Sequence, residues 1–115
     1  MKKLSIIIPC YNEQESLPLF YPAVKKIVKK IPVEPEYIFV NDGSSDDTLK
    51  ELKKIQQEDK EHVHYISFSR NFGKEAALYA GLQAATGDLV VVMDADLQDP
   101  PELLIEMYEE LEKKE

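Results

Sequence analysis

A chain of 115 residues has room for one domain, and its 22 acidic against 14 basic side chains give a net charge of −8 with histidine neutral. The 43% hydrophobic content supports a core and excludes a disordered chain, and the acidic balance argues against nucleic acid as main partner, because phosphate binding needs a basic face. The single cysteine, Cys10, excludes an internal disulfide and a cysteine-built zinc site, and no apolar run reaches the ~18 residues of a membrane span. One cysteine also makes a reducing, cytoplasmic compartment the default.

The opening MKKLSIIIPCYNE has too short an apolar run for a signal peptide and predicts a first strand over Leu4–Ile8, stopped by Pro9. Leu17, Phe20, Val24, Ile27, Val28 and Ile31 then share one helical face. Pro22 suits that helix only in its first turn, where its missing N–H is not needed. Tyr37–Val40 predicts a second strand, closed by Asn41-Asp42-Gly43. Ser45 or Asp46 offers an N-cap to a second helix that turns Leu49, Leu52 and Ile55 inward. Val63–Phe68 predicts a third strand, with His62 and His64 as surface histidines at its start, away from the loops that follow the strands. An alanine-rich third helix runs from about Gly73 to Ala85, with Gly81 for close packing on the sheet and Gly87 as its stop. Leu89–Met93 predicts a fourth strand. Asp99 as N-cap, Pro100 at N1 and Glu102 in a capping box start a last helix, which carries Leu104, Met107, Tyr108 and Leu111 inward and runs on to Glu115.

This alternation gives an α/β fold: a Rossmann-like βαβαβαβα three-layer sandwich on a parallel sheet, with residues 1–115 as a single domain. Ligands of such sheets bind outside the carboxyl ends of the strands. The functional map is therefore the four loops that leave those ends.

In the fourth loop, Asp94 and Asp96 stand at i and i+2, so an extended backbone points both carboxylates to one side. Two such groups repel unless a cation sits between them, and Mg²⁺ or Mn²⁺ suits oxygen ligands, with Gln98 adding a further oxygen. The plainer account is a strand-ending Asp94 and a solvated Asp96. Asp99 is explained by capping alone. In the second loop, Asp42 either turns the chain or projects toward a base or sugar. The first loop gathers Pro9, Cys10, Tyr11, Asn12 and Glu13, a set with an aromatic face and polar reach. No histidine is near Cys10 in sequence to activate it, so it reads as a small buried residue. The third loop brings cations, Arg70 and Lys74, to the start of a helix, where they either meet a diphosphate or stand as a solvated basic pair among acidic neighbours. No GxGxxG follows the first strand and no GxxxxGK[ST] occurs, which disfavours a dinucleotide-binding domain and a P-loop enzyme.

Taken together, IIIPCYNE, YIFVNDGSSDDT, FSRNFGKEAALYAGLQAATGD and VVMDADLQDPPE resemble the inverting family 2 glycosyltransferases of GT-A fold. The match is strongest to the polyprenol-phosphate branch, which includes dolichol-phosphate mannose synthase and the bactoprenol glucosyltransferases. The resemblance implies that Pro9, Tyr11, Asn12 and Glu13 surround the base and ribose of a nucleotide sugar. It implies that Asp42 bonds the base, that Arg70 and Lys74 lie near the nucleotide, and that Asp94, Ala95, Asp96 and Gln98 form the metal and diphosphate site. It further implies a Mg²⁺ or Mn²⁺ cofactor, a UDP-sugar in preference to a GDP-sugar, and inverting transfer of a hexose to a lipid phosphate at the inner face of the membrane.

Members of that family continue beyond the position of Glu115. On this reading the acceptor site and any general base lie outside the chain, and the Leu89–Met93 strand is left as an uncovered edge that favours self-association. Two other readings compete: a nucleotide-binding module without transfer activity, and an α/β interaction domain whose acidic last helix meets a basic partner.

Overall fold

The computed structural model describes residues 1–114. Among them the elements run β1 (Lys2–Cys10), α1 (Leu17–Val28), β2 (Val33–Asn41), α2 (Thr48–Glu58), β3 (Val63–Ser67), α3 (Lys74–Ala84), β4 (Leu89–Val92) and α4 (Leu103–Lys113). The strands form one parallel sheet in the order β3-β2-β1-β4. The expected α/β alternation is therefore present, and Glu115, the expected end of the last helix, lies outside the described residues.

Strand periodicity separates the two faces of the sheet. Leu4, Ile6, Ile8 and Cys10 of β1, with Tyr37 and Phe39 of β2, join a core that takes in Phe20 and Val24 of α1, Leu52 of α2 and Leu104 of α4. The alternate residues Ile38 and Val40 face the other way and pack with Ala77 of α3. There the small residues of α3 matter: a Cβ on Gly81 would lie 2.5 Å from Ile7 Cγ2, so the helix approaches β1 as closely as it does only because that position is glycine.

The strand order reverses between β1 and β4. After β1, β2 and β3 advance to one side, α3 returns the chain across the opposite face to the free side of β1. Pro9 fixes how far that last pairing extends. The Met93 N–H donates to the Ile7 carbonyl at 3.0 Å. The next rung of a parallel ladder would need an N–H from residue 9, and proline has none. β1 itself continues through Pro9 to Cys10 against β2, so Pro9 stops one ladder rather than the strand.

Several local expectations need correction. Pro22 lies inside α1, not in its first turn. It is exposed, and the Pro18 carbonyl that loses a partner is on an exposed residue too, so water can replace the missing bond. Pro18 takes the early helical position instead. Neither Ser45 nor Asp46 is the formal N-cap of α2, which is Asp47. Asp46 still does the capping, accepting from the Thr48 N–H at 2.9 Å and from the Thr48 hydroxyl. Leu49 is only half-buried. The capping box on Asp99 does not form: α4 starts with Glu102 at its N-cap. The carbonyls of Pro100, Pro101 and Glu102 take the N–H groups of Leu103, Leu104 and Ile105 at 3.0–3.1 Å in i→i+3 bonds, which satisfy those amides without a side chain. β2 starts at Val33 and includes Pro35, which is tolerated because β3 pairing begins only at Tyr37. His62 is half-buried rather than a free surface residue, with both ring nitrogens engaged by Asp59 and Glu34.

Gly87 does not stop α3, whose C-cap is Ala85. Its role is close approach: a Cβ there would lie 2.6 Å from Ser5 Oγ and 2.8 Å from the Lys3 carbonyl oxygen. That approach completes a polar network around a buried carboxylate. Glu36 is 5% exposed, and its carboxylate accepts from Ser5 Oγ at 2.7 Å, from Thr86 N at 2.9 Å and from Thr86 Oγ1 at 2.8 Å. Lys3 Nζ lies 3.2 Å from it, and Ser5 Oγ in turn accepts from Gly87 N at 2.8 Å. Burial alone would raise the Glu36 pKa, but the bonds from Thr86, Ser5 and Lys3 outweigh it and bring it to about 2.

A carboxylate whose pKa is depressed on folding stabilises the fold above its unfolded pKa, and loses that contribution as pH falls toward the folded value. Stability should therefore drop between pH ~4.5 and ~2, and Glu36→Gln should remove about 2 kcal/mol at neutral pH while flattening that part of the acid profile. Urea titrations from pH 7 to pH 2.5 on both proteins check it.

Candidate active site

The crevice at the carboxyl ends of β1 and β4 is where the sheet reverses, and the four strand-end loops meet there. They are held to one another by specific bonds. The Asp42 N–H donates to the Cys10 carbonyl at 2.8 Å, joining the ends of β1 and β2. Asn12 sits in the left-handed region at φ 53°. Its Oδ1 accepts from Ser45 N at 2.9 Å and Ser45 Oγ at 3.3 Å, while its own N–H donates to Ser44 Oγ at 2.9 Å. Glu13 N donates to Thr48 Oγ1 at 2.9 Å, and Gln14 N to Asp46 Oδ2 at 3.2 Å. The first and second loops thus form one rigid unit.

Asp42 ties the third loop to it. The residue is 4% exposed. Its Oδ1 accepts from Phe72 N at 2.7 Å, and its Oδ2 from Gly73 N at 3.0 Å and Asn71 Nδ2 at 3.1 Å. The approach is so close that a Cβ on Gly43 would lie 2.0 Å from the Arg70 carbonyl carbon, and Gly43 has φ +65°. Asn71 and Phe72 carry no chemistry that a sequence reading would mark. Their task is to present N–H donors to a carboxylate, and only the fold shows that.

A cavity of about 120 Å³ lies between Pro9, Cys10, Tyr11, Asp42, Lys74 and Asp94. Lys74 Nζ bonds Asp94 Oδ1 at 3.0 Å across its mouth. Asp94 and Asp96 are exposed and the intervening Ala95 is buried, with the chain turning at Ala95 and Asp96 rather than running extended. Asp96 Oδ1 accepts from Gln98 N at 3.1 Å, which turns the chain around Leu97 at φ 62°. Gln98 meets Asp96 through its main chain. The Glu13 carboxyl is held above the usual range, first by burial and then by the carboxylates of Asp96, Asp94 and Asp46. Acidic groups from the first and fourth loops therefore converge on one spot, with Lys74 at its edge.

Arg70 is not brought to this cavity. Its guanidinium stacks 4.7 Å from the Phe72 ring centroid, and Phe72 meets Phe68 edge-on at 5.6 Å. Tyr11 is half-exposed beside the cavity. Cys10 is buried, and burial, with Glu13 behind it, pushes its thiol up, which fits a packing residue and not a nucleophile.

Asp42→Ala removes the acceptor for two main-chain N–H groups. Amide exchange at Phe72 and Gly73 should accelerate by about tenfold or more, while amides of β1 keep their protection. Residue-resolved hydrogen exchange by NMR checks this.

The chain is 51% identical over 110 residues to the putative glycosyltransferase CsbB of Bacillus subtilis, an alignment covering 93% of this chain and 33% of that protein. It is 44% identical over 107 residues to the bactoprenol glucosyl transferase of Shigella phage SfX, covering 93% of this chain and 35% of that one. It therefore spans about a third of the length of these curated relatives. The mannosyltransferase PcManGT from Pyrobaculum calidifontis, solved in complex with GDP-Man and Mn²⁺, superposes with a TM-score of 0.66 at 24% identity, over 86% of this chain and 33% of that one. That likeness establishes the fold, which is GT-A. Residues 5–115 match glycosyl transferase family 2, and the chain belongs to that family.

Proposed function

We propose that this chain is the nucleotide-sugar-binding part of a glycosyltransferase that moves a hexose, with inversion, from a UDP-sugar to a polyprenyl phosphate. The observation that carries the reading is the meeting of Glu13, Asp94 and Asp96 with Lys74 at the reversal of the sheet. The family supports the sugar transfer, and the relative named for bactoprenol supports the acceptor class.

The donor set fits a divalent ion. Acidic side chains that raise the Glu13 carboxyl lack a full counter-charge, and oxygen ligands are what Mg²⁺ and Mn²⁺ prefer. Asp94 and Asp96 would hold the ion, with Gln98 as a further oxygen. When bound, such an ion offsets the charge that develops on a departing nucleoside diphosphate. The side chains of the protein do the rest. Lys74, at the first turn of α3, offers an ammonium group and a helix N-terminus to the diphosphate. Tyr11 offers an aromatic face to the base, beside Pro9 and Asp42, and Asn12 holds that loop in place. Ala95 packs inward and sets the two aspartates outward. Arg70 stands outside the cavity in the free chain, stacked on Phe72, at the border of the nucleotide site. An acceptor phosphate is ionised at neutral pH, so its oxygen needs little help from a base.

The whole protein would work at the inner face of the membrane, where a polyprenyl phosphate presents its headgroup. No helix among the described residues is long and apolar enough to cross a membrane. Among the described residues β4 has β1 on one side and no strand on the other, and an open groove of about 570 Å³ separates this edge from α4. The chain should therefore associate with itself through β4. Light scattering at millimolar concentration checks that, and a clean monomer would refute it.

Calorimetric titration with UDP and GDP, each with and without Mn²⁺, tests the main proposal. UDP should bind in a Mn²⁺-dependent way, and Asp94→Asn or Asp96→Asn should weaken it at least tenfold. Failure of both nucleotides to bind the folded chain would refute the donor-site reading.

A further inference from the structure

Far from those loops, at the amino-terminal end of the strands, lies a second group of metal-ligating side chains. Glu34 is the second residue of β2 and His62 directly precedes β3. Glu34 and the carboxyl end of β2 are separated by about 23 Å of extended chain. Oxygens of Glu34 and Glu61 and a ring nitrogen of His62 lie within 4.8 Å of one another, and this is the group of three or more acidic, histidine or cysteine side chains whose ligand atoms converge among the described residues.

The orientation of the imidazole is already set. Asp59 Oδ1 lies 2.9 Å from His62 Nδ1, and Glu34 Oε1 lies 2.8 Å from Nε2. With Asp59 holding Nδ1, an ion that took the place of the Nε2 proton would find that nitrogen facing Glu34 and Glu61. A carboxylate behind a histidine in this way is how protein zinc sites hold their ligands. Asp59 is itself fixed, because the Tyr21 hydroxyl donates to its Oδ2 at 3.2 Å. The support therefore reaches back into the core through α1. Asp59 and His62 also line a cavity of about 480 Å³, so solvent reaches the imidazole. Tyr37 lines the same cavity, and its hydroxyl is the buried side-chain polar atom left without a partner among the described residues. This end of the sheet has room for a polar guest.

We propose that Glu34, Glu61 and His62 form a binding site for a divalent ion of zinc type, with Asp59 as the residue that positions the histidine. One imidazole nitrogen and two carboxylate oxygens suit Zn²⁺ at ~2.0–2.2 Å, with water completing the shell. Mg²⁺, which prefers oxygen and gives up water reluctantly, is a poor match to the nitrogen. The ion would join the α2–β3 connection to the start of β2. It would occupy a different end of the molecule from the nucleotide, so its binding does not depend on the donor-site reading.

Titration of the nucleotide-free chain with ZnCl₂ tests this, followed by calorimetry and by NMR of the histidine rings. One Zn²⁺ should bind with His62-dependent affinity. His62→Ala should weaken it tenfold or more, Asp59→Asn about tenfold, and Glu34→Gln and Glu61→Gln should each weaken it measurably, whereas His64→Ala should leave it unchanged. The ring signals of His62, and not those of exposed His64, should shift on addition of Zn²⁺. The ring readout needs only the unsubstituted protein, so it stands even where a variant fails to fold. Zinc binding that survives His62→Ala unchanged would overturn the proposal, as would ring shifts at His64 alone or a folded chain that takes up no Zn²⁺.

Discussion

The missing N–H of Pro9 shapes this molecule at its centre. β1 is the strand on which the others are built, with β2 along its whole length and β4 along only Leu4–Ile7. Because residue 9 offers no donor toward β4, the two strands separate there and the chain after Met93 is free to turn outward. The crevice exists because one ladder ends before the other. Each loop around it is positioned from that opening: Tyr11 and Asn12 just past it, Asp42 bonded to Cys10 beside it, and Asp94 across from it.

Asp42 shows how such a loop cluster is kept in order without a core of its own. A buried carboxylate surrounded by main-chain N–H donors is stable only when those donors are held in place, and each bond then restrains a backbone that would otherwise be mobile. Asn12 does the same on the other side with an amide oxygen. The two residues make the third and second loops depend on the first. The side chains that face a ligand are thus set by residues whose polar groups are already occupied.

Much of this was legible from the residues. Alternating apolar runs and amphipathic stretches identify the strands and helices, because burial on two faces leaves so direct a trace in composition. The four strand-end motifs identify the family, because their order and their position at strand ends are hard to meet by chance. What could not be read was which of several capable residues would do a local task. Asp46, not the formal N-cap, serves Thr48, and backbone turns replace the expected box before α4. Gly87 looks like a helix stop in sequence, and only the approach of β1 shows that it makes room for the Ser5–Glu36 network. Arg70 and Lys74 look equivalent in sequence, yet one stacks on Phe72 and the other bonds Asp94. His62 looked like surface, because Glu34 reaches it only through the pairing of β2 and β3. The outcomes at Gly87, Lys74 and His62 depend on contacts between distant segments, which periodicity does not carry.

The shortness of β4 has a consequence for how the site is held in place. A strand paired on one edge over Leu89–Val92 is the shortest of the four, yet the loop that leaves it carries the two outward aspartates. The Glu36–Thr86–Gly87 anchorage grips the chain just before the strand, and Lys74 reaches from α3 to Asp94 just after it. So short a segment is therefore placed by polar clasps at both of its ends rather than by its own ladder.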